Sequence, residues 1–187
     1  HSNVKVTKLP HNRSELLESK IHSNNYKGII LYFHGGGFLI GSPRTARSIT
    51  SNLVVKTKNP IMCYSVKYPI CKSYQETIDY ANNLYRDLCK RWNSKQIILA
   101  GDSAGAHIAL SIALSEGVKH PSGGLILFSP WIDLSGETAQ DDHLISAKSV
   151  KHAGKFILSN KNNNNQNNSN EIIIYTYLIH QSYFIYI

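Results

Sequence analysis

The sequence predicts an α/β fold, a mostly parallel central sheet with helices on both faces, and three observations predict it. Apolar runs of strand length recur at 29–33, 61–68, 97–100 and 124–129, and segments with helical spacing separate them. Two of these runs end abruptly in small residues, His34-Gly35-Gly36-Gly37-Phe38 and Gly101-Asp102-Ser103-Ala104-Gly105. Continuous apolar runs mark strands buried on both faces, and strand–helix alternation marks a parallel sheet, whose ligand sites gather at the carboxyl ends of its strands. A chain of 187 residues buries one sizeable core, so a single domain is expected.

Taken in order, residues 1–25 are polar, with a short alternation at Val4, Val6 and Leu9 closed by Pro10. Either an edge strand or a loose arm fits there. Ile29, Ile30, Leu31, Tyr32 and Phe33 read as a central strand. Pro43 is fit to open a helix in which Ile49, Leu53 and Val54 share a buried face, and the strand after Pro60 ends at Pro69. Ile78, Ala81, Leu84, Tyr85 and Leu88 then recur at helical spacing over about 73–90. After the strand at 97–100, an apolar helix runs from Ala104 to Ser115 through Ile108, Leu110, Ile112 and Leu114, and Gly117 ends it. A further strand from Gly124 leads to Pro130-Trp131-Ile132-Asp133-Leu134.

The two small-residue clusters carry the chemistry. Ile97 to Gly105 reads as a buried strand meeting a helix through a turn too tight for side chains at Gly101 and Gly105. That is a nucleophile elbow: the strained corner lifts the Ser103 oxygen clear of the backbone, and the first helical turn offers unpaired N–H groups to a developing negative charge. Three adjacent glycines at 35–37 are costly in backbone entropy. They fit either an ordinary turn or a main chain brought close to a ligand with adjacent N–H groups aimed at one oxygen, and the serine turn downstream favours the second. His107 near the start of the following helix reads as a helix-surface histidine with a structural hydrogen bond, the alternative being an approach to bound ligand. Trp131 and Asp133 lie just beyond a strand end, where pocket walls gather, although most residues in such places are architectural.

Composition excludes other classes. The formal charge of +8 arises from 20 basic and 12 acidic residues, but the lysines are scattered and no nucleic-acid reader module or basic stripe accompanies them. No nucleic-acid partner is therefore expected. Cys63, Cys71 and Cys89 match no metal spacing and no paired framework, which favours a reducing compartment, with a cytoplasmic or ER-associated location expected. No metal and no cofactor is called for. Residues 172–187 are apolar but shorter than the roughly 20 residues a membrane-spanning helix needs, so no membrane span is expected.

The pieces Tyr32-Phe33-His34-Gly35-Gly36-Gly37-Phe38 with Gly41-Ser42, Gly101-Asp102-Ser103-Ala104-Gly105, and Ser129-Pro130-Trp131-Ile132-Asp133-Leu134-Ser135 together resemble the hormone-sensitive-lipase-like branch of the α/β-hydrolase superfamily, the alpha/beta hydrolase fold-3 group. That branch holds esterases, arylacetamide deacetylases and steryl-acetate hydrolases. The resemblance covers roughly residues 26–158 and implies a partial three-layer α/β-hydrolase fold. It implies that Ser103 is the acyl-accepting nucleophile of a serine carboxylic-ester hydrolase acting on small apolar or lipid-like esters. It also implies that the main-chain N–H groups of Gly36, Gly37 and Ala104 form the oxyanion hole, that His34 helps fix the glycine loop, and that Asp102 is not the triad acid. An acyl-enzyme route needs this pairing of an activated hydroxyl with preorganised donors. The chain departs from the family pattern at Ala106, where an additional glycine is common, and in a short Tyr68-Pro69 segment.

In this branch the acid and then the histidine follow the serine on loops after two further strands. Only 84 residues follow Ser103. Asp141 and Asp142 lie in a stretch resembling the lead into a cap or sheet-side helix, and His180 lacks a recognisable acid partner. Eight of the eleven residues at 160–170 are asparagine, a composition with nothing to bury. The expected organisation is an N-terminal arm at 1–25, a truncated hydrolase domain at 26–158, a disordered asparagine-rich tract at 159–171 and a hydrophobic tail at 172–187. Two functions stay open: the nucleophile half of an esterase, or a noncatalytic remnant or binding module that keeps the oxyanion pocket without base and acid.

Overall fold

A computed structural model describes residues 3–10, 12–21, 25–141 and 146–159, together with the backbone of 184–186. The strands are β1 (Val4–Lys8), β2 (Glu15–Ser19), β3 (Gly28–Phe33), β4 (Ile61–Val66), β5 (Ile97–Asp102), β6 (Gly124–Phe128) and β7 (Phe184–Tyr186). Interleaved with them are helices α1 (Arg47–Lys56), α2 (Tyr74–Cys89), α3 (Ala104–Glu116) and α4 (Ala147–Ser159). The sheet order is β1-β2-β4-β3-β5-β6-β7. The central strands β4, β3, β5 and β6 are parallel, and the antiparallel pairs β1–β2, β2–β4 and β6–β7 flank them. The expected α/β architecture with helices on both faces is therefore present as a partial α/β-hydrolase fold whose sheet is mixed.

β3 shows why the layers form. All six of its residues are buried, so successive side chains feed two different cores. Ile29, Leu31 and Phe33 join α2, α3 and Ile157 of α4 on one face. Ile30 and Tyr32 join Val54 of α1 and Ala46 on the other. α2 begins where Ser73 accepts the Glu76 N–H at 3.2 Å, and it is tied to α3 by the Arg86 guanidinium, which makes two bonds to the Glu116 carboxylate at 3.1 and 2.7 Å.

Several details differ from the sequence reading. The polar N-terminal stretch forms the antiparallel pair β1–β2, and β2 was not foreseen. Its buried face is Glu15, Leu17 and Ser19, so no apolar alternation announces it. Burial of Glu15 is made tolerable by Arg47, whose guanidinium donates to both carboxylate oxygens at 2.8 and 2.6 Å. α1 starts at Arg47 rather than at Pro43, because residues 43–46 form a turn. Leu114 is 52% exposed, lying round the helix from the buried Ile108 and Ile112. Asp142, His180, the asparagine-rich tract from 160 and the side chains of the hydrophobic tail lie outside the described residues. Among the described residues no helix is long and apolar enough to cross a membrane.

Candidate active site

The ends of two neighbouring parallel strands build the site. The register pairs Phe33 of β3 with Gly101 of β5, so the loop that follows β3 and the turn that follows β5 emerge side by side. Ser103 adopts φ 52° and ψ −118°, the dihedral pair of the second residue of a type II′ turn, where glycine is the usual occupant. Three backbone bonds hold it there: its N–H donates to the Phe128 carbonyl at 2.9 Å, and its carbonyl accepts from His107 at 3.2 Å and Trp131 at 3.1 Å. The flanking glycines admit no side chain, since a Cβ on Gly101 would overlap the Gly105 carbonyl and one on Gly105 would overlap the carbonyl of Phe33. Ser103 is half-buried, and among the described residues nothing bonds its hydroxyl. The predicted elbow is thus present, with the serine at the start of α3.

The loop after β3 takes the opposite backbone hand at consecutive residues, with φ of 122° at Gly36, 62° at Gly37 and 62° at Phe38. The Gly36 carbonyl accepts from both Leu39 and Ile40 at 3.0 Å, closing the loop into a tight turn. Among the described residues no acceptor takes the N–H of Gly36, Gly37 or Ala104. The last is expected of a first helical residue, whose N–H has no partner within the helix.

His34 lies at the root of this loop, 1% exposed and stacked on Tyr68 with ring centroids 4.4 Å apart. Its Nδ1 donates to the Gly35 carbonyl at 2.8 Å, and the Tyr68 hydroxyl donates to the His34 carbonyl at 2.6 Å. Burial lowers the His34 pKa. The imidazole is therefore neutral near pH 7 and braces the loop. Tyr68, noted in the sequence only for a short connection, is part of this brace.

Asp102 faces the same loop. Its Oδ1 accepts from the Tyr32 hydroxyl at 2.7 Å and from the Gly35 N–H at 2.9 Å. Sequence reasoning missed this link, although a tyrosine in a fully buried strand signals that its hydroxyl has a partner. A cavity of about 300 Å³ lies beside it, lined by His34, Gly36, Ile40, Ala46, Ile49 and Asp102 among others.

His107 is buried, not on the helix surface as its position suggested, and only 3% exposed. Its Nδ1 donates to the Trp131 carbonyl at 2.8 Å, which leaves Nε2 to accept from the Tyr74 hydroxyl at 3.0 Å. Both ring nitrogens are engaged, and burial lowers the pKa. Phe38, Tyr74 and Trp131 complete an aromatic cluster around it, with Phe38 6.1 Å from Trp131 and 6.3 Å from Tyr74 between ring centroids. Asp133 is occupied too, accepting from Ser135, from the Thr138 hydroxyl and from the N–H groups of Thr138 and Gly136. Burial raises its pKa, but these hydrogen bonds outweigh it and bring the carboxyl to about 2. Asp141 accepts the Ala147 N–H at 2.9 Å at the start of α4. Among the described residues no cluster of His, Cys, Asp and Glu has a metal-binding arrangement.

An elbow serine beside a glycine loop, set at the carboxyl end of a parallel sheet, is the arrangement of an α/β hydrolase. A family model described as alpha/beta hydrolase fold matches residues 30–172, and the chain belongs to that family. It is 36% identical over 112 residues to an esterase of Acinetobacter venetianus, a match covering 57% of this chain and 36% of that protein. It is 30% identical over 113 residues to an acetyl-hydrolase of Streptomyces hygroscopicus, covering 59% of this chain and 38% of that protein. A solved hormone-sensitive lipase from a metagenome library shares the fold with a TM-score of 0.71 at 24% identity, covering 84% of this chain and 56% of that one. An esterase from the bacterial hormone-sensitive lipase family does so with a TM-score of 0.73 at 22% identity, covering 87% and 58%. These two likenesses show that the fold is shared with solved structures named for the hormone-sensitive lipase that the motifs resemble. The chain spans little more than a third of the length of these two curated relatives.

Proposed function

We propose that the chain carries the nucleophile half of a serine carboxylic-ester hydrolase that acts on small apolar or lipid-like esters through an acyl-enzyme. Ser103 Oγ attacks the ester carbonyl carbon, and the N–H groups of Gly36, Gly37 and Ala104 receive the oxygen as it becomes negative. Collapse of the tetrahedral adduct breaks the ester C–O bond, the serine proton passing through solvent to the leaving alkoxide to give the alcohol. Water then cleaves the acyl-serine to the acid and restores the hydroxyl. The observation that carries this reading is the backbone of Ser103: a non-glycine residue held in a glycine conformation at the end of the strand next to the one that bears the glycine loop, with no bond to its hydroxyl and no acceptor at the N–H groups of Gly36, Gly37 and Ala104 among the described residues. Strain of this kind costs about 1–3 kcal/mol and persists where the surroundings impose it. The acetyl-hydrolase among the relatives favours a short acyl group, and the aromatic wall of Phe38, Tyr74 and Trp131 suits an apolar one.

A second reading, a binding module with an oxyanion pocket and no base, is favoured by one observation. Both ring nitrogens of His107 are engaged, His34 is buried against Tyr68, and the carboxylates of Asp133 and Asp141 are taken up in local turns. Hydrolysis of p-nitrophenyl acetate, butyrate and octanoate by the wild type and by Ser103→Ala separates the two. The esterase reading expects turnover that falls with acyl length and disappears in the variant. Equal rates for the two proteins defeat it.

A further inference from the structure

Asp102 is the last residue of β5 and immediately precedes the candidate nucleophile. A carboxylate so close to a place where negative charge develops opposes that charge unless donors hold it. Here one oxygen collects two donors, the Tyr32 hydroxyl and the Gly35 N–H. Tyr32 is fully buried on β3, so the carboxylate is anchored to the strand from which the glycine loop departs. Gly35 fits closely against it, because a Cβ at that position would overlap Asp102 Oδ2. The loop is therefore fixed at three points: Asp102 grips the N–H of Gly35, His34 Nδ1 donates to the Gly35 carbonyl, and the Gly36 carbonyl takes Leu39 and Ile40 on the far side. The backbone between these points carries the N–H groups of Gly36 and Gly37.

We infer that Asp102 is a positioning residue of the oxyanion loop, its Tyr32-anchored carboxylate acting on the Gly35 N–H while His34 holds the Gly35 carbonyl, so that together they orient the Gly36 and Gly37 N–H groups. The inference rests on the proposed role of those N–H groups and names what aims them. Hydrogen bonds to an ionised acceptor are shorter and about twice as strong as neutral ones, which suits a group that must hold backbone in a left-handed run. Tyr32 sharpens the assignment: burial and the neighbouring carboxylate push its phenol above the ordinary tyrosine range, so it remains a donor near neutral pH.

The test is amide hydrogen exchange read by mass spectrometry on peptides covering residues 33–41, in the wild type, Asp102→Ala, Asp102→Asn and Tyr32→Phe. The alanine variant is expected to exchange about tenfold faster in this segment, with α2 and β4 unchanged, as loss of a charge-assisted bond requires. Asparagine keeps a carbonyl acceptor and restores part of the protection, and Tyr32→Phe shows a smaller acceleration confined to the same segment. Unchanged exchange at 33–41, or acceleration spread evenly over α2 and β4, overturns the inference. If Asp102→Ala does not fold, Asp102→Asn and Tyr32→Phe give the same comparison.

A second readout is the labelling rate with a fluorophosphonate probe. Asp102→Asn is expected to lower the maximal rate constant several-fold while leaving the half-saturating probe concentration unchanged. Equal rate constants in a labelled wild type and in Asp102→Asn overturn the positioning role. A wild type that is not labelled overturns the nucleophile reading instead, and the exchange measurement still decides the role of Asp102.

Discussion

The loops after β3 and after β5 stand side by side and solve opposite problems. At 34–38 the proposed functional group is the backbone itself, and glycines at 36 and 37 adopt positive φ without steric cost, their N–H groups finding no acceptor among the described residues. At 101–105 the proposed functional group is a side chain, and a serine occupies the glycine conformation while Gly101 and Gly105 supply the room around it. The contrast shows how the protein divides strain. Glycines relieve it at 36 and 37, whereas Phe38 at the end of the first loop and Ser103 in the second keep a positive φ on a non-glycine residue.

That contrast can be broken at either loop. The largest effect is expected from Ser103→Ala, which should lower ester hydrolysis by at least about 10³-fold, measured as kcat/KM, while circular dichroism stays that of the wild type. Next comes Gly105→Ala, whose Cβ would overlap the Phe33 carbonyl in the neighbouring strand. Denaturant unfolding should show a loss of about 3 kcal/mol, and a loss below about 0.5 kcal/mol would mean that the elbow does not need this close approach. Ser103→Gly works in the other direction. By releasing the strain at φ 52° it should stabilise the fold by about 1 kcal/mol while abolishing turnover, a trade that urea titration and an esterase assay read together.

The smallest effect lies beyond β6. The Asp133 carboxyl titrates at about 2 in the folded protein against an ordinary value of 3.8. A depressed folded value means stability that is present above the unfolded pKa and is lost as pH falls through the folded one. Thermal unfolding of the wild type should therefore weaken between pH 3.8 and 2 more steeply than that of Asp133→Asn, and the two Tm values should converge at the acid end. Parallel curves across that window would show that the Ser135–Thr138 turn does not draw on the charge.

Much of this architecture was legible because its signals are local. Strands β3 to β6 are apolar runs, α2 carries its own cap at Ser73, and the elbow and glycine loop are written in adjacent small residues. What escaped depends on contacts remote in sequence. The Asp102 bonds to Tyr32 and Gly35 span 70 and 67 residues, and neither residue type announces the other. β2 was hidden because a buried glutamate occupies its core face, acceptable only with Arg47 lying 32 residues away. His107 read as a surface residue because α3 has no polar stripe to reveal which side is covered. Its burial comes from Tyr74 on α2 and Trp131 after β6, both supplied by the tertiary fold.

The proposed function requires that Ser103 form a covalent acyl intermediate. The most direct measurement is intact-mass and peptide-mapping analysis of the full chain after exposure to p-nitrophenyl acetate. One acetyl group is expected on the peptide containing Ser103, absent in Ser103→Ala. Acetylation elsewhere with that peptide unmodified, or the same modification in both proteins, would contradict it.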